Sequence, residues 1–496
     1  MNKSLNFILL GQFGINNKAI TSIIFIFVGY RNLIYLISMI RSLIFTLFIL
    51  IGSSSQLGAQ ERVWSLEQCI LYAVENNIQV KQQEIQTKFQ ENYLLQSKIG
   101  ILPSLNGQAS NNFSFGRALD ETTYQYTENS NVVSSSFYAG TSVTLFNGLQ
   151  QLNTIKRNQF NLEASIKDLD AMRESIALNV ALSYLQILLN KELVTVTENQ
   201  LNITREQIEK TRKMVDAGSL AKGNLLDIEA QAAREEVQLI NNQNTLNISI
   251  LTLTQMLEFE TAEGFDIIVP DYSVNEDLVV DDSPYDLFLE SENIRPEIES
   301  ARLRLKSAEQ DLLIARGARS PRLSLSTSFS TGYSDIRRKI LTIDPILGPE
   351  YGPYPFGEQL NDNINYGIGL SLNIPIFNGW QVNTAINNSR LGIESSRYSL
   401  EASRKQLYKN IQQSFADAEG SLKAYHSSTK AVGAMSESFR YTEQKFNVGM
   451  VTPVEYNTSK TELLNAQSEL AQSKYQFLFR TKVLDFYRGI PLTLEN

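Results

Sequence analysis

The chain has 496 residues, 43% of them hydrophobic and 20% charged, with 44 Lys and Arg against 53 Asp and Glu. One histidine, His426, and one cysteine, Cys69, exclude an intramolecular disulfide and leave no set of thiolates or imidazoles for a zinc or redox centre. The acidic balance does not invite a phosphate backbone, so no nucleic-acid partner is expected.

Residues 1–59 carry Lys3, Lys18, Arg31 and Arg41 but no acid, the first acid being Glu61. Met39-Ile40-Arg41, the apolar run Leu43 to Ile51 and the small residues ending at Leu57-Gly58-Ala59 have the order of an export signal. Cleavage is expected after Ala59 and translation from Met39, with residues 1–38 an upstream extension. The apolar run is short for a spanning helix, which needs about 20 residues. Cys69 lies ten residues beyond the expected cut, so a lipid anchor is not indicated. Removing 59 residues leaves 437, with 40 basic and 53 acidic groups and a net charge of −13.

The remainder is an internal duplication. Phe146-Asn147-Gly148 recurs as Phe377-Asn378-Gly379 at an offset of 231, and seventy residues after each glycine stands another, Gly218 and Gly449. Upstream, Leu102-Pro103 aligns with Ser320-Pro321 at an offset of 218, and a Gly/Pro/Tyr-rich insertion, Ile343 to Gly357, accounts for the difference. The expected plan is a first repeat over 60–257, an irregular acidic linker over 258–292 and a second repeat over 293–490.

Each repeat opens with a helix, Ser65 to Lys98 and Pro296 to Ala315, stopped by Pro103 and Pro321. Two-faced strands follow. Leu105, Ala109, Phe113 and Phe115 alternate with Asn106, Gln108, Ser110, Asn112 and Ser114. Phe137, Ala139, Val143 and Leu145 repeat the pattern, as do Leu323, Leu325, Phe329 and Tyr333 against serines. The fourth run, Ile364 to Ile376, alternates Ile, Tyr and Leu with Asn, Gly and Ser. An apolar face opposite a Ser, Asn and Gly face suits a membrane strand between lipid and water; on the strands alone, a half-buried soluble sheet fits equally well.

Asn147-Gly148 and Asn378-Gly379 turn the chain out of the strands. Leu149 to Ala217 contains neither proline nor glycine, and 69 helical residues reach roughly 100 Å. Period seven picks out Ile166, Arg173, Val180, Ile187, Val194, Leu201, Ile208 and Val215, a coiled-coil seam kept in the second repeat as Ile411, Ala418, Tyr425, Val432, Phe439 and Phe446. The neighbouring track turns polar through Ser183, Asn190, Thr197, Thr204 and Thr211. That predicts one dry seam and a second, looser or wet contact; a plain dimeric coiled coil is the alternative. Gly218 and Gly449 mark helical hairpin tips, where glycine supplies a positive φ.

Strands in a bilayer must pair every backbone group, so an open four-stranded sheet forces assembly. Two copies give 8 strands and a filled barrel, three give 12 and a lumen. With Asn76-Asn77-Ile78-Gln79-Val80, Arg295-Pro296-Glu297-Ile298 and Phe446-Asn447-Val448-Gly449-Met450-Val451-Thr452-Pro453-Val454-Glu455, the duplicated order resembles the TolC-like outer-membrane efflux protein family over about residues 62 to 490. The resemblance implies an α+β membrane protein in the outer membrane, a homotrimer with a 12-stranded barrel and a long α-helical periplasmic tunnel. It also implies a periplasmic adaptor docking at the hairpin tips, around Gly218, Val448, Gly449 and Met450, and an inner-membrane pump of the RND or ABC class. By the same resemblance Glu455, with Asp227 from the first repeat, would form an acidic entrance constriction; Thr458 departs from the family's second acidic position. Trp380, beside the second turn, is a candidate for the aromatic belt in the lipid bilayer. No phosphate loop, nucleophile elbow or metal spacing is found, so neither cofactor nor enzyme activity is expected. A coiled-coil adhesin is the rival reading; paired strands returned twice through glycine-tipped hairpins give a stalk no advantage.

Overall fold

The structure, a computed structural model, describes residues 62–117, 119–120, 125–126, 130–270 and 283–493. The expected leader lies outside the described residues, as do the linker acids Asp271, Glu276, Asp277, Asp281 and Asp282. The first repeat runs β1 (Arg62–Trp64), α1 (Leu66–Asn76), α2 (Ile78–Ile99), β2 (Ser104–Gly116), the short pair β3 (Leu119–Asp120) and β4 (Gln125–Tyr126), β5 (Ser130–Phe146), α3 (Gln150–Asp216) and α4 (Lys222–Met256). After β6 (Phe265–Ile267) come α5 (Pro284–Ile294), α6 (Pro296–Gly317), β7 (Arg322–Ser334), the pair β8 (Arg338–Asp344) and β9 (Gly348–Pro353), and α7 (Phe356–Asp362). The chain ends through β10 (Asn365–Asn373), α8 (Gln381–Asn447) and α9 (Pro453–Arg488).

The long helices α3 and α8 each have 67 residues, roughly 100 Å of rise, and their return arms α4 and α9 have 35 and 36. Each long helix therefore outruns its arm. A shorter helix takes up the difference: α2 also packs on α3, and α6 on α8. The junctions explain why the expected single helix from Ser65 to Lys98 is in fact two. Asn77 leaves helical geometry at ψ 132°. Its side-chain oxygen accepts from the Gln79 amide at 2.9 Å to start α2, while its amide donates to the Met256 carbonyl at 3.1 Å, at the end of α4. At the equivalent position Arg295, also buried, donates to the Phe486 carbonyl at 3.3 Å and stacks 4.0 Å from that ring, near the end of α9. The linker 258–292 is also more regular than its acidity suggests. It holds β6, paired with β1, and most of α5, which starts at the Ser283 cap with Pro284 behind it and buries Leu287, Phe288 and Ser291.

The four long strands form one antiparallel sheet in the order β10-β7-β5-β2. Its register lines up the alternating residues across all four. Ser104, Ser142, Ser326 and Gly369 form one rung, and Asn106, Gly140, Ser328 and Gly367 another on the same face. On the opposite face Val143, Leu325 and Leu370 stand side by side, as do Ala139, Phe329 and Tyr366. Two irregularities fall at matching points of the repeats: a bulge between Thr144 and Phe146, and the end of β10 at Asn373. The expected strand thus loses Ile374 to Ile376, because Pro375 has no N–H for the ladder and a fixed φ. The Gly/Pro/Tyr-rich insertion folds into the β8–β9 hairpin and α7. There the buried Gln359 pairs both ways with the Ser334 backbone, at 3.0 and 2.9 Å, and holds the Tyr354 carbonyl at 2.8 Å.

One apolar core sits where α1, α3, α4 and the β1–β6 pair meet, with Leu66, Cys69, Leu169, Ile176, Val180, Tyr184, Ile187, Leu188, Leu253 and Ile267 among its members. The Tyr184 hydroxyl lies 2.7 Å from the Ile268 carbonyl, and Trp64, Tyr72, Phe259 and Phe265 pack ring on ring beside it. Burial pushes the Cys69 thiol up to about 12, which keeps it neutral and unreactive. Among the described residues, no helix is long and apolar enough to cross a membrane.

Candidate functional site

The sheet, the helical wall and the hairpin tips are the three places where the chain meets different surroundings. On the sheet, the exposed residues divide by face. Leu105, Phe113, Phe115, Tyr366, Ile368, Leu370 and Leu372 stand on one side, with Asn111 among them, and the other carries Ser, Asn, Gly and Gln, with Tyr138 laid over Gly140. Small hydroxyls on that side satisfy one another across strands, as in Ser110 to Ser136 at 2.7 Å. Strands β2 and β10 are its free edges.

The turns from sheet to helix share one conformation. Gly148 and Leu149, at φ 66° and 63°, repeat as Gly379 and Trp380, at 60° and 68°, so both long helices begin after two left-handed residues. The second of each pair is not glycine, which costs roughly 1 kcal/mol. The Asn147 carbonyl accepts from the Gln150 side-chain amide at 2.9 Å, and the Asn378 carbonyl from the Gln381 backbone at 3.2 Å. The first turn is closed over by the end of α6: a Cβ on Gly148 would lie 2.3 Å from the Gly317 carbonyl oxygen, and one on Gly317 2.5 Å from that of Gly148. Gly379 has nothing within 4 Å of the same point, and Trp380 is 64% exposed. Gly317 was not singled out in the sequence, where a glycine at a helix end reads only as a cap.

At the tips Gly218 and Gly449 have φ of 72° and 74°, and each leaves open space around it. Val448 and Met450 flank the second tip at 70% and 73% exposure. Tyr456 packs under them, 4.7 Å from Phe446 and 5.3 Å from Phe439, and fixes the angle between α8 and α9. Glu455 belongs to a capping box: its carboxylate accepts from the Thr452 amide at 3.0 Å, and the Thr452 hydroxyl accepts from the Glu455 amide at 3.2 Å. Asp227 lines a groove of about 420 Å³ between α4 and α9 with Arg234, Thr458 and Glu462.

The wall differs most from the pattern expected. The polar track of α3, read as the looser contact, is buried as well: Asn190, Thr197, Thr204 and Thr211 are buried, with Gln200 and Gln207 between them, beside Val180, Ile187 and Leu201 of the apolar track, whose first member Ile166 is 40% exposed. Spacings of three and four through Thr197, Gln200, Thr204, Gln207 and Thr211 make this a core seam in position and a polar one in composition. It takes this place because α4 and α9 both close on that side of α3. The Asn190 and Gln200 amides and the Thr211 hydroxyl are buried there without partners. Threaded into the seam from α9 is Lys460, 1% exposed, which no sequence pattern marks, since a lysine in a helix reads as surface. In the second repeat Ile411, Ala418 and Phe446 of the expected seam are likewise buried.

Among the described residues, no group of three or more His, Cys, Asp or Glu could hold a metal ion. The arrangement offers several distinct surfaces: an apolar sheet face, a small polar face, polar helix seams and exposed tips.

Known proteins share this arrangement. The chain is 22% identical over 309 residues to outer membrane protein TolC of Escherichia coli, which is 62% of this chain and 59% of that protein, so the match spans about three fifths of that relative's length. The fold is that of the Campylobacter jejuni CmeC outer membrane channel, with a TM-score of 0.69, 15% identity and 87% of each chain covered. It is equally that of the outer membrane protein VceC from Vibrio cholerae, at 0.68 and 15%, with 86% of this chain and 96% of that one covered. A family model described as outer membrane efflux protein matches residues 71–257 and 290–486, well over half of the chain. The protein therefore belongs to the outer membrane efflux protein family and is an outer-membrane protein that extends into the periplasm.

Proposed function

We propose that three copies of the chain form a channel-tunnel, the passive exit duct of a tripartite efflux or type I secretion system. The observation that carries this is the open four-stranded sheet, apolar on one face and lined with Ser, Asn and Gly on the other, set on two helices of 67 residues. An open sheet cannot stay in lipid. In chain order β2 and β7 leave the helices while β5 and β10 return to them, so β2 of one copy meets β10 of the next antiparallel, and the ring closes without a seam. Three copies give 12 strands with the polar face inward. The helices continue the lumen through the periplasm, and the hairpin tips form the entrance, where a periplasmic adaptor and an inner-membrane pump of the RND or ABC class would engage Gly218, Val448, Gly449 and Met450. Nothing in the polar lining selects a cargo, which suits a duct whose selectivity lies in the pump. Heat-resistant trimers in the outer-membrane fraction and ion conductance in planar bilayers are expected; a monomer without conductance overturns the reading.

Glu455 supplies the entrance charge in this reading, repeated three times around the axis, with Asp227 in its groove beside Thr458. Converging carboxylates favour cations. Glu455→Gln is a clean test, because Gln still serves a capping box. Conductance of the variant should lose cation preference, and unchanged selectivity removes Glu455 from the constriction.

A further inference from the structure

The β8–β9 hairpin belongs to the insertion of the second repeat and follows β7 at the end of the sheet away from the helices. It keeps large apolar side chains in water: Ile346 and Leu347 at its tip are 93% and 88% exposed, and Ile340, Ile343 and Tyr351 behind them are exposed too. The register sorts the hairpin into two faces. Ile340 pairs with Tyr351 and Ile343 with Pro349, so these four share one face. Lys339 with Gly352, Thr342 with Glu350 and Asp344 with Gly348 share the other, where Leu341, at the bulge, folds over Gly352. The polar face is the one tied down. The Lys339 ammonium donates to Glu358 of α7 at 2.7 Å and lies 6.0 Å from the Tyr354 ring, and the Thr342 hydroxyl donates to Glu350 at 3.0 Å. Asp344 accepts from the Ile346 and Leu347 amides at 2.7 and 2.9 Å and holds the tip in one shape.

The contacts at its root decide which way the apolar face looks. Helix α7 leans on the apolar side of the sheet: the Thr331 hydroxyl donates to the Leu360 carbonyl at 2.5 Å, and Phe356 packs 5.0 Å from Tyr333, both partners alternating in step with Leu325 and Phe329. The polar hairpin face is joined to α7, so the apolar face turns the other way, over the Ser, Asn and Gly side. The outgoing limb agrees, since Ile336 and Arg337 line a cavity of about 710 Å³ with Ser134, Ser136, Tyr138 and Ser330 of that side. We infer that the occupant of the apolar hairpin face is the same face of the other two copies, and that three hairpins meet over the lumen as an apolar cap on the external mouth. The cap rests on the conduit reading, which turns the Ser, Asn and Gly face inward. A 12-stranded barrel with strands about 4.8 Å apart and tilted by about 40° has a radius of about 12 Å. The seven residues of β8 span about 20 Å, so a hairpin leaning inward reaches the axis. Lipid as the occupant would require the apolar face on the side of α7, where the polar one is. An apolar constriction sheds water and so stops hydrated ions, while an amphiphilic cargo driven from below can part its side chains.

Ile346→Cys tests the contact in the full chain, because Cys69 is buried and does not compete. Outer membranes holding heat-resistant trimers are oxidised with copper phenanthroline. Three cysteines about one axis can join only two chains, so up to about two-thirds of the chains should run as disulfide-linked dimers once denatured, with a yield unchanged when the trimers are diluted in added lipid. Thr342→Cys, exposed on the outward face, should give at least about fivefold fewer. Ile346→Ser with Leu347→Ser should open the mouth. A bulky maleimide that does not cross membranes, added outside intact cells, should then label Ser326→Cys on the lumen face at least about fivefold faster than with the tip intact. Trimers in which Ile346→Cys cross-links no more than Thr342→Cys, or in which Ser326→Cys reacts equally fast with either tip, overturn the cap and leave the conduit reading standing. Quenching of a fluorophore on Ile346→Cys by a lipid-borne quencher would put the hairpin in the outer leaflet and overturn the cap likewise. A chain that forms no trimers overturns the conduit reading and the cap with it.

Discussion

The two halves of α3 are a single unbroken helix buried against neighbours along its length, yet they are built differently. From Leu169 to Leu188 it buries Leu169, Ile176, Val180, Tyr184, Ile187 and Leu188; from Thr197 to the tip it buries Thr197, Gln200, Thr204, Gln207 and Thr211, with Leu201 as the one apolar member. Backbone continuity needs only the absence of proline and glycine, so it carries through both. What changes is the cost of separation. Parting the equatorial half would expose apolar surface at about 25 cal/mol per Å², whereas the tip half would hydrate hydroxyls and amides, some of them now unpartnered. A long helix can thus be anchored at one end and separable at the other without a hinge in its backbone.

Substitutions can break this contrast. The largest effect is expected from Ile187→Ala, fully buried in the equatorial core, at about 2–5 kcal/mol in denaturant unfolding; a loss no greater than that of a tip-half substitution would erase the distinction. Gly148→Ala should follow, costing about 1–3 kcal/mol through contact with the Gly317 carbonyl and Ser320 at a left-handed φ. Gly379→Ala, with the same φ but open space, should cost less in the isolated chain, and equal costs there would mean that the contact with α6 is unimportant. Smallest, and of opposite sign, is Thr211→Val, which removes a buried hydroxyl without a partner and should raise the unfolding free energy by no more than about 1 kcal/mol. A substantial loss would reveal a partner for that hydroxyl.

Much of the fold was legible because it is periodic. Alternation along β2, β5, β7 and β10 assigned both faces of the sheet, and the glycines at 148, 218, 379 and 449 fell at turns where the backbone needs a positive φ. Breaks imposed from a distance were not legible: Asn77 interrupts a good helical run because its amide reaches Met256, 179 residues away. The polar seam escaped for a different reason, since hydrophobicity is the sequence's main sign of burial and Thr, Gln and Lys read as surface. Thr452-Pro453-Val454-Glu455 carries the spacing of a helix start, and Glu455, which the family resemblance marks for an entrance constriction, serves that local purpose in the structure.

The unequal surroundings of the two strand-to-helix glycines carry a last consequence. Gly148 is covered by the end of α6 of its own chain, and Gly379, in the same conformation, is bare. If copies of the chain close into the proposed ring, the bare glycine of one subunit would lie against the end of α2 of the next, around Ile99 and Gly100. Each subunit would then hold within itself a covalently linked rehearsal of the joint it makes with its neighbour. A change in the geometry of one joint would have to be matched in the other for that ring to close.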